Sequence, residues 1–296
     1  PRYSPDQYRQ IADNLVVLQR RGGGWAVNQD PQRILDDAAK AQVLADQATP
    51  GGSFDNRNIY TQVSYLADAF ARSGDVRYRD AAVHGLDFIL AEQIDSCGGW
   101  PHSVPSRTAY HGHITFADDV TSGVLTTLRR VLREPVFGFI SAEQRARVDA
   151  AVTAGDACLL RLQVRQDGVP TIWAGQYDRT TLLPAQGRKF ELPALVTDES
   201  VGVVRYLMSI PDPSPAVVTA INAAMAWFQA HAVTGWRLET FEKTPAQFQF
   251  HRTTVDRRLV ADAGAPLLWG RFHDLHDSSV LLANREGERV ARFEEI

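Results

Sequence analysis

The sequence predicts a fold dominated by α-helix: an α/α toroid of repeated helix pairs carrying a small C-terminal β element. Three observations predict it. First, one phrase occurs four times, a helical run containing glutamine that ends in glycine and tryptophan: VVLQRRGGGW at 16–25, ILAEQIDSCGGW at 89–100, LLRLQVRQDGVPTIW at 159–173 and MAWFQAHAVTGW at 225–236. The tryptophans are 75, 73 and 63 residues apart, which leaves room for two helices and one long loop per unit. Second, after each of the first three tryptophans a polar loop leads into a helix that opens on an acidic pair or on an acid and an amide: Asp55 and Asn56, Asp118 and Asp119, Asp198 and Glu199. Third, helical period is lost over 241–296, where short apolar runs alternate with turn residues as in strands.

In chain order, the first helix spans 4–20 and starts on SPDQ. The next, 56–73, carries Ile59, Val63, Leu66, Ala67 and Phe70 at 3.6-residue spacing. Asp55 and Asn56 stand where its N-cap belongs, because a short side-chain oxygen can accept from the first free N–H groups. Its partner is a helix at 76–95. The second pair is 119–134, with Val120, Val124, Leu125, Leu128 and Leu132 on one face, and 141–163, with Ser141 as cap and Gln144 at the capping-box position. The third is a helix opening at Asp198 and one at 214–232, begun by Ser214 and Pro215. Antiparallel pairs repeated around an axis gather the long loops and acid-bearing helix starts at one mouth. The chain 1–296 therefore reads as a single catalytic domain, with helical repeats over 1–240 and the β-containing segment 241–296 packed on them.

The bulk properties narrow the partners. At 296 residues and 32.8 kDa, with 44% hydrophobic and 22% charged residues, the chain has the composition of a soluble globular protein. No apolar run approaches the ~18 residues of a membrane span. A net charge of −4 and a pI near 6.1 give no global basic field for nucleic acid. The start, PRYSPDQ, has no initiator Met and no signal-peptide pattern and reads as a trimmed or processed chain. Cys97 and Cys158 allow either one bridge or two buried thiols. Arg252, Arg257, Arg258, Arg271, Arg285, Arg289 and Arg292 crowd the last fifty residues and would form an anion site if they share a face.

Chemistry concentrates in the loops. His102, His111 and His113 precede Asp118, and a His-x-His with a nearby acid could be a zinc site, but no second strong ligand pair recurs. The carboxylates Asp55, Asp118, Asp119, Asp178, Asp198 and Glu199 are hard oxygen donors that suit calcium. Two of them could instead be the acid and base of an inverting glycosidase.

Motif by motif, the chain resembles the pectate lyases of polysaccharide lyase family ten: GGGWAVNQD, SFDNRNIYTQ, GGWPHSVP with HITFADD, TIWAGQYD, ELPALVTDESVGVVRYLM followed by PSP, and DRRLVADAGAPLLWGRF with LANREG. The resemblance runs in order from about residue 11 to 292 and departs at Ala117, Tyr177 and His273, where the family usually has other residues. It implies an α/α toroid that cleaves polygalacturonate by calcium-dependent anti β-elimination. It implies Arg271 of WGRF as base, Asp55 as a second catalytic residue, Arg257 and Arg285 as clamps on substrate carboxylates, and Asn56 and Thr61 as substrate contacts. It also implies Ca2+ ligands at Asp118, Asp55 and Asp119, and a monomer that is secreted or periplasmic, with neither nucleic acid nor membrane as partner.

Elimination needs a weak carbon acid to lose its C5 proton, so the developing charge must be stabilised, for which a divalent cation on the substrate carboxylate suffices. Calcium takes six to eight oxygens, so substrate and water must complete the shell that Asp118, Asp55 and Asn56 begin. Two other readings stand beside this one: an inverting glycoside hydrolase on the same toroid using two of Asp55, Asp118 and Asp198, and a non-catalytic polyuronate-binding protein, favoured by Ala117 and by the stop at RFEEI.

Overall fold

In the computed structural model, which describes residues 1–247 and 252–296, the glutamine and tryptophan of each repeat act as its fasteners. Eight α-helices occur among the described residues: α1 (Tyr8–Leu18), α2 (Asp37–Asp46), α3 (Tyr60–Ser73), α4 (Val76–Ala91), α5 (Val120–Arg133), α6 (Ala142–Leu162), α7 (Thr197–Met208) and α8 (Pro215–Ala230). The buried indoles of Trp25, Trp100 and Trp173 donate to the carbonyls of Leu15, Ile89 and Leu159, at 2.9, 2.8 and 2.8 Å. The Gln19 amide donates to Gly23 and Ala81, that of Gln93 to Gly98 and Ala151, and that of Gln163 to Thr171 and Ala220. Each glutamine thus ties its own turn to the next helix along, satisfying buried carbonyls that would otherwise be costly.

The helices form two layers. Helices α3, α5 and α7 pack in sequence, α1, α4, α6 and α8 pack in sequence, and the two rows meet where α3 packs on α4, α5 on α6 and α7 on α8. One apolar core joins the layers, including Ile59, Val63, Leu66, Leu86, Ile89, Val124, Leu125, Leu128, Leu159 and Val203. The capping box of α6 forms as expected, with Ser141 Oγ accepting from Gln144 N at 3.1 Å, and Ser214 caps α8. Cys97 and Cys158 are bridged, linking the turn after α4 to α6. No helix among the described residues is long and apolar enough to cross a membrane.

Two expectations are corrected. The polar loop after Trp25 contains α2, which buries none of its residues and so has no apolar face to read; Asp36 caps it by accepting from Ala39 N at 2.8 Å. The fourth repeat phrase is not a repeat. Trp236 is 43% exposed and opens the strand Trp236–Gln247, which pairs antiparallel with Arg252–Ala261. The buried indole at this end belongs to Trp227 instead, donating to Ser278 Oγ at 2.8 Å. The β segment expected at 241–296 therefore begins at 236, and its residues 248–251 lie outside the described ones. A second strand contact matters more for the site: Phe272 and His273 pair with Val196 and Leu195, which fastens the C-terminal segment to the start of α7.

Candidate active site

The starts of α3, α5 and α7 converge on one cleft. Its main cavity, about 440 Å³, is lined by Asp55, Asn56, His102, Asp118, Arg188 and Arg271, among others. An adjoining hollow brings Asp119, Asp198 and Glu199 beside Asn56, Asp118 and Arg271. The gathering of the three acidic openings at one mouth, expected from the repeat, is thus observed.

The openings are not N-caps. Asp55–Arg57 and Ala117–Asp119 are short 3-10 turns, and α3 and α5 begin after them with no side-chain cap. Asn56 and Arg57 have φ of 55° and 59°, Asp118 and Asp119 of 54° and 56°. Residue by residue, then, Asn56 matches Asp118 and Arg57 matches Asp119, one position away from the register that the acidic pairs suggest. Asn and Asp tolerate this left-handed region better than other non-glycine residues.

Asp55 accepts from Asn56 N at 2.9 Å through Oδ1, faces His102 Nε2 at 3.4 Å through Oδ2, and is hydrogen-bonded to the Asp118 carboxyl. Burial pushes Asp55 up, but the His102 contact, the bond with Asp118 and the Asn56 N–H together hold it below its usual range. Asp118 is pushed up by desolvation in the cleft and by the charge and hydrogen bond of Asp55, against the pull of Arg188 and Arg271. Two touching carboxyls behave this way because they cannot both ionise freely without a cation between them. His102 is held in turn by Ser103 Oγ at 2.8 Å and by stacking on His111, with ring centroids 4.9 Å apart. Asn56 Nδ2 donates to Asn28 Oδ1 at 3.1 Å.

Arg271 reaches the cleft through the pairing described above: its carbonyl accepts from Thr197 N at 3.0 Å. Its Nε lies 3.2 Å from Asp198 Oδ2, and its Nη2 lies 3.5 Å from Glu199 Oε1 and 3.8 Å from Glu191 Oε1. Glu199 is buried, and burial together with the charges of Asp198 and Asp118 pushes its carboxyl up to about 8. Arg188 grips Glu191 with both Nε and Nη2 while lining the same cavity.

Of the sequence-derived site residues, Asp55, Asn56, Asp118 and Arg271 are brought together. Asp119 is turned away from the pair: its Oδ2 is held by Arg57 at 2.8 Å, and its Oδ1 rests where a Cβ on Gly202 would stand. Thr61, in the first turn of α3, donates to the carbonyl of Arg57 in the preceding 3-10 turn at 2.6 Å and lies outside the main cavity. Arg257 is exposed in mid-hairpin opposite Thr240, and Arg285 is exposed in the turn between the strands Leu282–Ala283 and Arg289–Val290; neither lines the cleft. Arg257, Arg271 and Arg285 follow at fourteen-residue intervals, a spacing that predicts successive β segments pointing into one site, but the strands around them belong to three separate sheets. Sequence reasoning missed Arg188 and Glu191, whose sole signal is an Arg and a Glu three apart in the loop before α7. It saw His102 only as a poor zinc ligand.

A family model described as pectic acid lyase matches residues 19–296. Two similar solved structures are both of the family 10 polysaccharide lyase from Cellvibrio cellulosa. The first, a mutant in complex with trigalacturonic acid, is 28% identical with a TM-score of 0.79, covering 95% of this chain and 82% of that one. The second is also 28% identical with a TM-score of 0.79, covering 94% and 81%. No curated protein matches.

Proposed function

The chain belongs to the pectic acid lyase family and is a pectate lyase, and from that premise we propose that its cleft cleaves polygalacturonate by calcium-dependent anti β-elimination, leaving 4,5-unsaturated oligogalacturonides. The observation that carries this reading is the touching carboxyl pair, Asp55 and Asp118, set in one cavity with Arg271 and Arg188. Touching carboxyls are closer than the ~6.5–9.5 Å that an inverting glycosidase leaves for its water, which disfavours hydrolysis by this pair.

The donor set fits a hard divalent cation. The carboxyls of Asp55 and Asp118 share a hydrogen bond that a cation would replace, and the Asn56 amide stands beside them. Among the described residues no three His, Cys, Asp or Glu side chains are grouped to hold a metal alone, so a uronate carboxylate and water would complete the shell. When bound there, calcium would act as a Lewis acid on the uronate carboxylate and so acidify its C5 proton.

The chain's own groups supply the rest. Arg188, with Nε and Nη2 on Glu191, has its remaining guanidinium N–H groups to offer to a second uronate carboxylate, a role expected of Arg257 and Arg285. Asn28 and Asn56 present amides to sugar hydroxyls. Arg271 acts at C5: its guanidine takes the C5 proton, the electron pair of the broken C5–H bond forms the C4=C5 double bond, and the C4–O bond breaks, the leaving oxygen taking a proton from water. Asp198, Glu199 and Glu191 hold the Arg271 guanidinium where this happens. The two helix layers support closure as an α/α toroid around this mouth, and the Cys97–Cys158 bridge suits an oxidising compartment, outside the cell or in a periplasm. Product analysis tests the reading: elimination gives an ultraviolet-absorbing unsaturated end, whereas reducing ends without that absorbance would mean hydrolysis.

A further inference from the structure

Three carboxylates surround Arg271, and they are not equivalent. Asp198 is the nearest at 3.2 Å, but its side chain is 55% exposed and competes with water for the guanidinium. Glu191 is 3.8 Å away and is already held by the Nε and Nη2 of Arg188. Glu199 differs from both. Its side chain is only 8% exposed, and Arg271 Nη2, at 3.5 Å, is the only hydrogen-bond donor to its carboxyl among the described residues.

A buried carboxyl with one partner is an expensive arrangement, because taking it out of water is repaid by a single contact. Its placement follows from the backbone. Thr197, Asp198 and Glu199 form the first turn of α7, and the same turn receives the Arg271 carbonyl through Thr197 N and the Gly270 carbonyl through Thr197 Oγ1. One rigid helical turn therefore grips Arg271 at both ends, main chain and guanidinium. Glu199 lies on the wall shared by the main cavity and the adjoining hollow, across from Asp118.

We propose that Glu199 is the positioning residue of this site: it fixes the plane of the Arg271 guanidinium toward the Asp55–Asp118 pair, and it acts on turnover through Arg271 alone. This rests on the reading of Arg271 as the group acting at C5. A guanidinium left to Asp198 and Glu191 has no buried anchor, and a misplacement of about 1 Å at a reacting group costs on the order of 100-fold in rate.

The test is a double-mutant cycle on Glu199→Gln and Arg271→Lys, read by release of unsaturated product from polygalacturonate with calcium present. The assays are run above about pH 8, where the Glu199 carboxyl is ionised; there Glu199→Gln keeps the shape of the side chain and removes its charge. It is expected to lower kcat by about 30- to 100-fold while KM moves by less than about threefold, as for an interaction that matters only in the transition state. In the Arg271→Lys background the same change is expected to have no further effect, because the group it positions is gone. Glu199→Asp keeps the charge and is expected to restore part of the rate; should Glu199→Gln not fold, the cycle is run with Glu199→Asp and reads the same coupling. Equal fold-losses in the two backgrounds, or wild-type turnover by Glu199→Gln, would overturn the proposal. Wild-type turnover by Arg271→Lys would instead remove the reading of Arg271 on which it rests, whatever Glu199→Gln does.

Discussion

Asn56 and Asp118 hold the same left-handed backbone conformation one repeat apart, with φ of 55° and 54°. The two side chains that begin the candidate cation site are thus delivered by one repeated piece of backbone geometry, and that geometry conflicts with stability wherever the residue is not glycine. Asp118→Gly is expected to fold at least as stably as the parent, by up to about 1 kcal/mol, because it relieves the left-handed strain and removes the repulsion from Asp55. It is expected to lose cleavage. Asp118→Val should cost about 1–2 kcal/mol, since Cβ clashes in this region. Urea midpoints check the order; a destabilised glycine variant would show that the carboxyl contributes more to folding than its backbone costs.

Glu199 gives the fold a pH dependence that can be read without substrate. Its carboxyl, ordinarily near 4.5, is raised to about 8 in the folded chain. The folded state therefore holds a proton that the unfolded state has released. The associated stability is fully present below about pH 4.5 and is lost as pH rises through about 8, at a limiting slope of about 1.4 kcal/mol per pH unit. Without divalent cation, wild type is expected to lose stability from pH 5 to pH 8 more steeply than Glu199→Gln. Parallel slopes for the two proteins would contradict the burial argument.

How much of this was legible in the sequence depended on whether a residue's role is local. Gln19, Gln93 and Gln163, with Trp25, Trp100 and Trp173, repeat because each fastens one turn to a neighbouring helix, and that regularity exposed both the helix pairs and the shared mouth. The fourth phrase misled because Gln229 and Trp236 satisfy the pattern with no following helix pair to fasten. Arg188 and Arg257 show the converse. Both stand in segments without period, and only the pairing of Phe272 with Val196 decides which part of the C-terminal half reaches the cleft. The left-handed turns also shift the match between repeats by one residue, which no pattern of acids could reveal.

Removal of the cation separates a catalytic metal from a structural one. Chelation is expected to abolish cleavage of polygalacturonate and to leave the far-ultraviolet circular dichroism unchanged, because Asp55 and Asp118 keep a shared hydrogen bond without it. A cooperative loss of helical signal on chelation would make the metal part of the fold.

The Cys97–Cys158 bridge closes a loop of 61 residues, for which chain-entropy arguments give a stabilisation of about 4 kcal/mol. Paired replacement of both cysteines by alanine is expected to lower the melting temperature markedly while the folded fraction keeps its turnover, since neither cysteine lines the cleft. A loss of kcat at temperatures where the variant is fully folded would tie the bridge to the site instead.

The measurement closest to the centre of the mechanism is single-substitution kinetics at Arg271. Lysine keeps the positive charge but lacks the planar fork and places its charge elsewhere. Arg271→Lys is expected to fold normally, to bind oligogalacturonate with calcium, and to release unsaturated product at least about 100-fold more slowly, a typical loss for a group acting on a proton in the transition state. Release at near wild-type rate by that variant would contradict the assignment of Arg271.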